Sequence, residues 1–400
     1  MLEVRVLESA VELEALAAEW RELFVSSRQE VVQTPTWMLA WWRVFGSGAA
    51  RELRAVTFRE RGRLVAIAPL LWRPVFDKFV PLRRLEFFGS GEDEHEEICS
   101  DYLGIVCELG READVASMLA SALVSGRVGR WDDLHLLRMS GEDPMVDLLV
   151  QALEIERCAV ETFPAGSCPY LSLPKTWDEY LNALDGQRRY FVRRSMRELD
   201  KWAGPGGYTL RIATSKEELK QGFFILRALH GERWSSERSL FESYRFSAFH
   251  ADVMRKYFAG VDAKLELMWL EVKGTPIAAI YNILHDRKIH FYQSGRKLDV
   301  PKSVRPGIAV HALAIQRAIA MGYREYDFLN GDSFYKKQLA LAHRPLVSIR
   351  AIAPHASSRA VITFRDTASK LAAWVRSRRE GSSPDAAEAA EREGEPTSRR

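Results

Sequence analysis

An aspartate interrupts an apolar strand pattern in the second half of the chain, at Tyr326-Asp327-Phe328-Leu329. A carboxylate between apolar neighbours in a central strand needs a partner or acquires a raised pKa. A carboxylate with a raised pKa can accept a proton from an attacking ammonium group. Asp327 is therefore a candidate general base, although a structural ion pair or a helix cap explains the residue equally well.

A second candidate site is the start of a predicted helix, in the segment Ser303-Val304-Arg305-Pro306-Gly307-Ile308. Amides at a helix N-terminus are unpaired and partly positive, so they bind phosphate well. Gly307 would let the backbone approach a phosphate closely, and Arg305 would add a guanidinium fork. The alternative is an ordinary Pro-Gly helix start.

Ionisable residues also follow the helix that ends near Leu229, in the segment His230-Gly231-Glu232-Arg233-Trp234. His230 titrates near neutral pH and could relay protons. Glu232 could act as a base through a water molecule, and Arg233 could bind a carboxylate or a phosphate. His230 taken alone is more typical of a structural histidine.

Arginines are concentrated between residues 188 and 197, where Arg189, Arg193 and Arg197 fall on one helical face at a spacing of four. Such a face would attract a phosphate-rich ligand, either a tRNA or a nucleotide-linked sugar. A solvated basic face is the simpler interpretation.

Composition excludes several classes of protein. The 57 basic and 54 acidic residues give a net charge of +3, so bulk charge does not predict nucleic-acid binding. The four cysteines show no CxxC spacing, which argues against disulfides and structural zinc, and no metal is expected. No signal peptide is recognised, and the most apolar stretch, Leu64 to Trp72, is too short to span a membrane. These observations predict a cytoplasmic protein.

Helix and strand patterns alternate along the first half. The spacing predicts helices over residues 9–24, 37–45 and 111–124, with Ser9 as the first N-cap. Two strands are predicted on either side of Arg61-Gly62, and another over Trp131 to Leu137.

The second half repeats this order. A helix is predicted from Ser215 to Leu229, with Ser215 and Glu218 as a capping box. Three strands follow, with turns at Lys273-Gly274 and Asp286-Arg287, and then a helix from Gly307 to Met321 and a strand from Arg324 to Leu329. The shared order, with RERGRLVAIAPL matching LEVKGTPIAAIY, indicates a diverged tandem duplication.

An ordered set of segments in the second half resembles the CelD-like, cellulose-biosynthesis-associated acyltransferases of the GNAT superfamily, which are relatives of FemAB-type aminoacyl transferases. These segments are GQRRYFVRRSMRELD, LHGERW, GTPIAAIYNILHDRKIHFYQSG, SVRPGIAVHALAIQRAIAMGY and YDFLNGDSFYKKQLA. PTWMLAWW and LVAIAPLLW match more weakly in the first half. The second half departs from the superfamily's phosphate-loop pattern because it has one glycine there.

The resemblance implies an α/β fold with tandem GNAT-like lobes, each a mixed, mostly antiparallel sheet flanked by helices. We expect a degenerate N-terminal lobe over residues 1–165 and a catalytic lobe over 166–355. We further expect a C-terminal helix over 356–379 and a disordered tail over 380–400.

The resemblance also implies acyl transfer from acyl-CoA, most simply acetyl-CoA, to an amine, here on a sugar or polysaccharide precursor. It assigns a role near the thioester to the strand with Tyr292 and Gln293, with the pyrophosphate at Arg305, Gly307 and Ile308. The catalytic candidates are Asp327, His230, Glu232, Tyr335 and Lys336, and the substrate-binding candidates are Arg233, Trp234, Asp332 and Arg193. For Lys336 a solvated surface lysine is also open.

Two other functions stay open. One is Fem-type transfer from an aminoacyl-tRNA, which the arginine face favours and which the absence of an inserted coiled-coil arm disfavours. The other is a non-catalytic scaffold in polysaccharide or cell-envelope assembly.

Overall fold

The structure is a computed structural model that describes residues 2–28, 30–46, 50–77, 80–234, 239–331 and 333–355. The helix expected over 356–379 and the tail expected over 380–400 lie outside the described residues, as does Asp332.

The first half alternates strands and helices as its sequence predicts. Its strands are β1 (Glu3–Leu7), β2 (Glu52–Leu53), β3 (Ala55–Glu60), β4 (Arg63–Ala68), β5 (Leu70–Asp77), β6 (Val80–Phe87), β7 (Val106–Cys107), β8 (Asp133–Ser140) and β9 (Ala159–Ser172). Its helices are α1 (Ala10–Ala15), α2 (Ala17–Val25), α3 (Pro35–Trp41), α4 (Glu112–Val124) and α5 (Pro144–Ile155). The single helix predicted over 9–24 is thus divided at Leu16, and Ser9 occupies its N-cap position without a side-chain hydrogen bond.

The second half follows a similar order of elements after two linking helices, but it has fewer strands in its central run than the first half has. The helices are α6 (Trp177–Ala183), α7 (Gly186–Ala203), α8 (Lys216–Trp234), α9 (Tyr244–Phe258), α10 (Pro306–Ala320) and α11 (Phe334–Leu339). The strands are β10 (Tyr208–Ile212), β11 (Lys264–Val272), β12 (Thr275–His285), β13 (Lys288–Arg296), β14 (Glu325–Asp327) and β15 (Ala342–Ile352). The predicted capping box is confirmed, because the Glu218 amide donates to Ser215 Oγ at 3.1 Å and the Ser215 amide donates to Glu218 Oε2 at 3.2 Å.

The two halves share a hairpin with the same turn. Arg61 and Gly62 have φ of +50° and +82°, and Lys273 and Gly274 have φ of +50° and +79°. Positive φ at both central positions is the turn that matches the right-handed twist of paired strands. The agreement supports the tandem duplication that the sequence indicates.

The halves are joined by an exchange of their last strands. The large sheet has the order β10-β11-β12-β13-β14-β9-β15-β8-β6-β5-β2, and β1-β3-β4-β7 form a smaller sheet. The last strand of the first half, β9, pairs with β14, and the last strand of the second half, β15, pairs with β8. The boundary expected between residues 165 and 166 falls within β9.

The sheets are mixed and mostly antiparallel, as expected. Among the described strands, parallel pairing joins β13 to β14 and β6 to β8. Each parallel pair has a helix between its strands in sequence, α10 in the second half and α4 in the first. The fold is therefore mixed α/β, with helices packed on the sheets.

Aromatic side chains fill the core between the halves. Trp37 and Trp41 of α3 are fully buried. The ring of Trp37 meets those of Phe249 and Tyr292 edge to face, at 4.9 and 5.5 Å. Full burial of such a side chain contributes roughly 2–3 kcal/mol, so these contacts fix the first half against β13.

No helix in the described ranges combines the length and apolar character needed to cross a membrane.

Candidate active site

Two strands separate in the middle of the large sheet and leave a wedge. Strands β13 and β14 pair in parallel at Lys288–His290 with Glu325–Asp327. Beyond this point β13 continues to Arg296 along β12. The Phe328 amide, by contrast, donates to the Pro169 carbonyl of β9, on the other side. The wedge contains two cavities, which we call the outer and the inner cavity.

The outer cavity has a volume of about 450 Å³ and opens at the start of α10. It is lined by the end of β13, the first turns of α10 and α11, and one aromatic residue of α7. These residues are Phe191, Ser294, Gly295, Arg296, Val304, Arg305, Pro306, Gly307, Ile308, Val310, His311, Ser333, Phe334 and Tyr335. The lining combines an apolar wall with two arginines, which suits a ligand that has both an apolar arm and an anionic group.

Unpaired donors are present at the start of α10. The amides of Ile308 and Ala309 both donate to the Arg305 carbonyl, at 3.1 and 3.0 Å, and so are already occupied. The Gly307 amide, by contrast, makes no hydrogen bond among the described residues. The Arg305 guanidinium lies 4.6 Å from the centre of the Phe191 ring, and its buried Nη1 has no partner in the described part of the chain.

Gly307 keeps this entrance open. A Cβ at Gly307 would meet one atom within 4 Å, the Cδ of Arg296 at 3.6 Å, which is an ordinary contact. Its backbone does not require glycine, because φ is not positive. The missing side chain therefore serves access to the cavity rather than local folding.

The inner cavity, of about 150 Å³, lies deeper in the wedge. It shares Ser294, Ser333 and Tyr335 with the outer cavity, so the two are adjacent. Its other walls come from β13, from the turn after β14, from α11 and from a loop of the first half. These residues are Cys99, Asp101, Phe291, Tyr292, Gln293, Phe328, Leu329, Asn330, Gly331 and Lys336.

The turn Leu329-Asn330-Gly331 is held from three sides. Asp327 Oδ1 accepts from the Leu329 amide at 2.8 Å, and Asp101 Oδ2 accepts from the Asn330 amide at 2.9 Å. Lys336 Nζ donates to the carbonyls of Leu329 and Asn330, at 3.1 and 2.5 Å. Leu329 has φ of +55°, a strained conformation for a residue with a side chain, and such strain requires surrounding contacts of this kind.

Charged groups at the turn differ in how burial affects them. Burial lowers the pKa of the Lys336 ammonium group, although Asp101 and Asp327 act in the opposite direction. Burial raises the pKa of Asp101 to about 6, and the largest opposing effect is that of Arg138. A carboxylate with that pKa exchanges protons readily near neutral pH.

Asp327 lies in an ion network rather than in a cavity wall. It is fully buried, and its Oδ2 accepts from Tyr102 at 2.8 Å and contacts Arg344 Nη1 at 3.1 Å and Lys288 Nζ at 3.2 Å. Glu325 and Glu30 complete the network. Burial by itself would raise the pKa of Glu30, but Lys288 and His290 lower it to about 2. Asp327 lines neither cavity, so the structural ion pair that the sequence left open describes its surroundings.

Other predicted residues lie apart from the wedge. His230 is buried behind β13, where its Nδ1 lies 2.9 Å from Ser239 Oγ, and the exposed Glu232 accepts from the Leu298 amide at 3.3 Å. Arg193 is exposed on α7 and lines neither cavity. Asp332 and the side chains of Arg233 and Trp234 lie outside the described part of the structure.

The remaining predicted residues meet at the cavities. Tyr335 lines both, and its ring is stacked on His311 at 5.2 Å. Tyr292 and Gln293 line the inner cavity, with the Tyr292 hydroxyl bonded to the Ile98 carbonyl. Lys336 also lines it and is buried, not solvated. The sequence does not point to Cys99 or Asp101. Nothing in the local pattern around Asp101 indicates that it will contact Asn330, which lies 229 residues away.

Comparison with known families identifies the second half. Residues 186–337 match the family described as acetyltransferase (GNAT) domain. The chain contains a GNAT domain. Every residue of the outer cavity lies within this domain, whereas Cys99 and Asp101 of the inner cavity lie outside it.

Solved structures with a similar fold extend over both halves. FemX is 12% identical, with 88% of this chain and 98% of that chain covered and a TM-score of 0.54. The C-terminal domain of a putative lysylphosphatidylglycerol synthetase from Agrobacterium fabrum is 11% identical, with 90% and 96% covered and a TM-score of 0.50. At these identities the likeness concerns the fold. Comparison with curated proteins gives no significant sequence match.

Proposed function

We propose that this GNAT-domain protein is an N-acyltransferase that moves an acyl group from an acyl-CoA, in the simplest case acetyl-CoA, to an amine. The observation behind the proposal is the pair of adjacent cavities between β13 and β14. The outer cavity offers an unpaired guanidinium nitrogen and an open amide, and the inner cavity is lined by ionisable groups.

The start of α10 fits the phosphates of coenzyme A. Arg305 Nη1 is a buried donor without a partner among the described residues. Such a donor is unfavourable unless a ligand accepts a hydrogen bond from it. The Gly307 amide adds a second donor at the positive end of a helix. In this proposal Arg305 and the Gly307 amide bind the pyrophosphate, and Ile308 lines the adjoining wall because its own amide is already occupied. Tyr292 and Gln293 flank the arm that leads to the inner cavity.

Bound acyl-CoA would supply the thioester, and residues of the chain would direct its reaction. Tyr335 lies where the two cavities meet, so its hydroxyl is placed to give a proton to the departing sulfur. Lys336 and Asp327 hold the turn that forms the opposite wall. We assign these two residues to positioning, and His230 and Glu232 to the packing of α8 behind β13.

The acceptor in this proposal is an amine on a sugar or polysaccharide precursor. Support comes from the resemblance of the second half to CelD-like acyltransferases. A role beside polysaccharide or envelope machinery, in the cytoplasm, would follow from the same resemblance.

The test combines acetyl-CoA with a panel of amino sugars and measures release of free thiol. We expect thiol release with at least one amino sugar, and a rise in the melting temperature when acetyl-CoA binds. Gly307→Val is expected to weaken acetyl-CoA binding at least tenfold, because its side chain enters the outer cavity. If the protein folds normally but shows no thiol release and no melting shift, the proposal is contradicted.

A second candidate is Fem-type transfer from an aminoacyl-tRNA. The similarity of fold to FemX and the exposed Arg193, Arg194 and Arg197 on α7 favour it. If it is correct, tRNA will bind with a steep dependence on salt, and Arg193→Ala with Arg194→Ala will reduce that dependence. Binding of acetyl-CoA but not of tRNA would contradict it.

A further inference from the structure

The first half contributes a carboxylate to the inner cavity. Asp101 belongs to the loop between β6 and β7 and is 3% exposed. Its Oδ2 accepts from the Asn330 amide, which fixes the carboxylate against the turn after β14. Its Oδ1 is buried and has no hydrogen-bond partner among the described residues.

An unpartnered buried carboxylate oxygen is unfavourable by about 1–3 kcal/mol, and more when it is charged. Stable proteins rarely leave such an atom beside a cavity without a use for it. The cavity next to Asp101 has room for a small acyl group or for the reacting nitrogen of an acceptor. The free oxygen is therefore placed to accept a proton from a bound molecule.

The surroundings of Asp101 favour exchange of a proton near neutral pH. Burial raises its pKa, whereas Arg138 and Lys336 lower it. Charged and titratable groups face it from every element packed around it. These are Arg138 of β8, Lys336 of α11, Asp327 of β14, Cys168 of β9, Tyr292 of β13 and Cys99 of its own loop.

Neighbouring groups are less suited to this task. Both oxygens of Asp327 are already bonded within the protein. Lys336 Nζ donates to two carbonyls. Burial raises the pKa of the Cys99 thiol far above its ordinary value, so it stays protonated.

We propose that Asp101 is the general base of the acyl transfer, so that the first half completes the active site of the GNAT domain. The proposal is built on the proposed function. The acceptor nitrogen forms a bond to the acyl carbonyl carbon, and Asp101 Oδ1 takes a proton from that nitrogen. The bond between the carbonyl carbon and sulfur breaks, the sulfur takes a proton from Tyr335, and the proton on Asp101 then restores Tyr335 through solvent. The products are an amide and a free thiol.

The experiment compares the full chain with Asp101→Asn and with Asp143→Asn as the matched control. Asp143 is a half-buried aspartate that likewise accepts a backbone amide, from Met145 at 3.0 Å, but it lies at the start of α5. Each protein is assayed for thiol release from acetyl-CoA with the amino sugar that gives the highest rate, from pH 5 to 9. The acetyl-CoA melting shift is measured on the same samples.

We expect D101N to bind acetyl-CoA like the unaltered protein, with kcat lowered by about 10²–10⁴-fold and without the acidic limb of the pH profile. D143N should keep kcat within about threefold. An unchanged limb in D101N, or a change confined to the KM for acetyl-CoA, would overturn the role of Asp101 and leave the proposed function standing. Absence of thiol release by the unaltered protein would overturn the proposed function itself. If D101N does not fold, Asp101→Glu is measured in its place. We expect D101E to have a reduced kcat and to retain the acidic limb of the pH profile. Full kcat in D101E would count against Asp101 as the general base.

Discussion

Lys336 Nζ lies 2.5 Å from the carbonyl oxygen of Asn330, and the same ammonium group donates to the Leu329 carbonyl at 3.1 Å. This one side chain satisfies two carbonyls of a turn whose first residue, Leu329, has positive φ. The helix α11 thereby fixes the wall of the inner cavity.

Replacing Lys336 by methionine should destabilise the protein, because a side chain of similar length then leaves both carbonyls without a donor. We expect the free energy of unfolding to fall by about 1–3 kcal/mol. Urea denaturation measures the change. Lys337→Met is the control, since Lys337 is exposed, and it should change stability by less than about 0.5 kcal/mol. Equal stability of K336M and K337M would show that the lysine does not support the turn.

The pH dependence of stability provides a direct test of the ionisation of Asp101. Its pKa is raised from 3.8 to about 6 in the folded protein, so the folded state binds the proton more tightly than the unfolded state. The protein should therefore lose stability relative to D101N as the pH rises from 4 to 6, and the difference should level off above that range. A shift of this size corresponds to a loss on the order of 3 kcal/mol.

The measurement is the difference in free energy of unfolding between the unaltered protein and D101N at each pH. Other groups with shifted pKa values, such as Glu92 at about 7, are present in both proteins and cancel in the difference. A flat difference between pH 4 and 6 would show that Asp101 titrates in its ordinary range.

Asp327 should prove important for stability rather than for proton transfer. Asp327→Asn leaves Lys288 and Arg344 buried without one of their counter-charges, and breaking a buried pair typically costs about 3–5 kcal/mol. The carboxamide oxygen that this substitution introduces can still accept from the Leu329 amide, so kcat per folded molecule should stay within about tenfold.

Glu142→Gln is the control for D327N, since Glu142 also pairs with Arg344, at 2.8 Å, but is 54% exposed. Exposed pairs contribute at most about 1 kcal/mol. If D327N were stable and had lost both kcat and the acidic limb, Asp327 would be the base that its sequence position suggested.

Local patterns in the sequence predicted much of the fold because they depend on neighbouring residues. The turns at Arg61-Gly62 and Lys273-Gly274, the Ser215–Glu218 capping box and the helix predicted from Gly307, which begins one residue earlier at Pro306, are confirmed. The exchange of β9 and β15 was not predicted, since a strand's partner depends on the whole sheet and either pairing would satisfy the same alternation of side chains.

The candidate site likewise contains residues that the sequence predicts and residues that it does not. Arg305, Gly307 and Ile308 could be found from the sequence because a helix start has a local signature. Asp101 could not, since its place beside Asn330 follows from how the two halves pack. His230 carries a titratable side chain, but the sequence does not reveal which face of β13 the helix α8 covers.

Gly295 of β13 lies directly against the backbone of α8. A Cβ at Gly295 would lie 2.6 Å from the Leu229 carbonyl carbon, a backbone atom of α8 that cannot move aside easily. Gly295→Ala should therefore push α8 away from β13 and lower the free energy of unfolding by about 1–3 kcal/mol, as overpacking does. Gly307→Ala is the matched control, because its Cβ meets only an ordinary contact, and it should keep or slightly raise stability. Urea denaturation of both variants makes the comparison, and a G295A protein as stable as G307A would mean that α8 and β13 are not in this close contact.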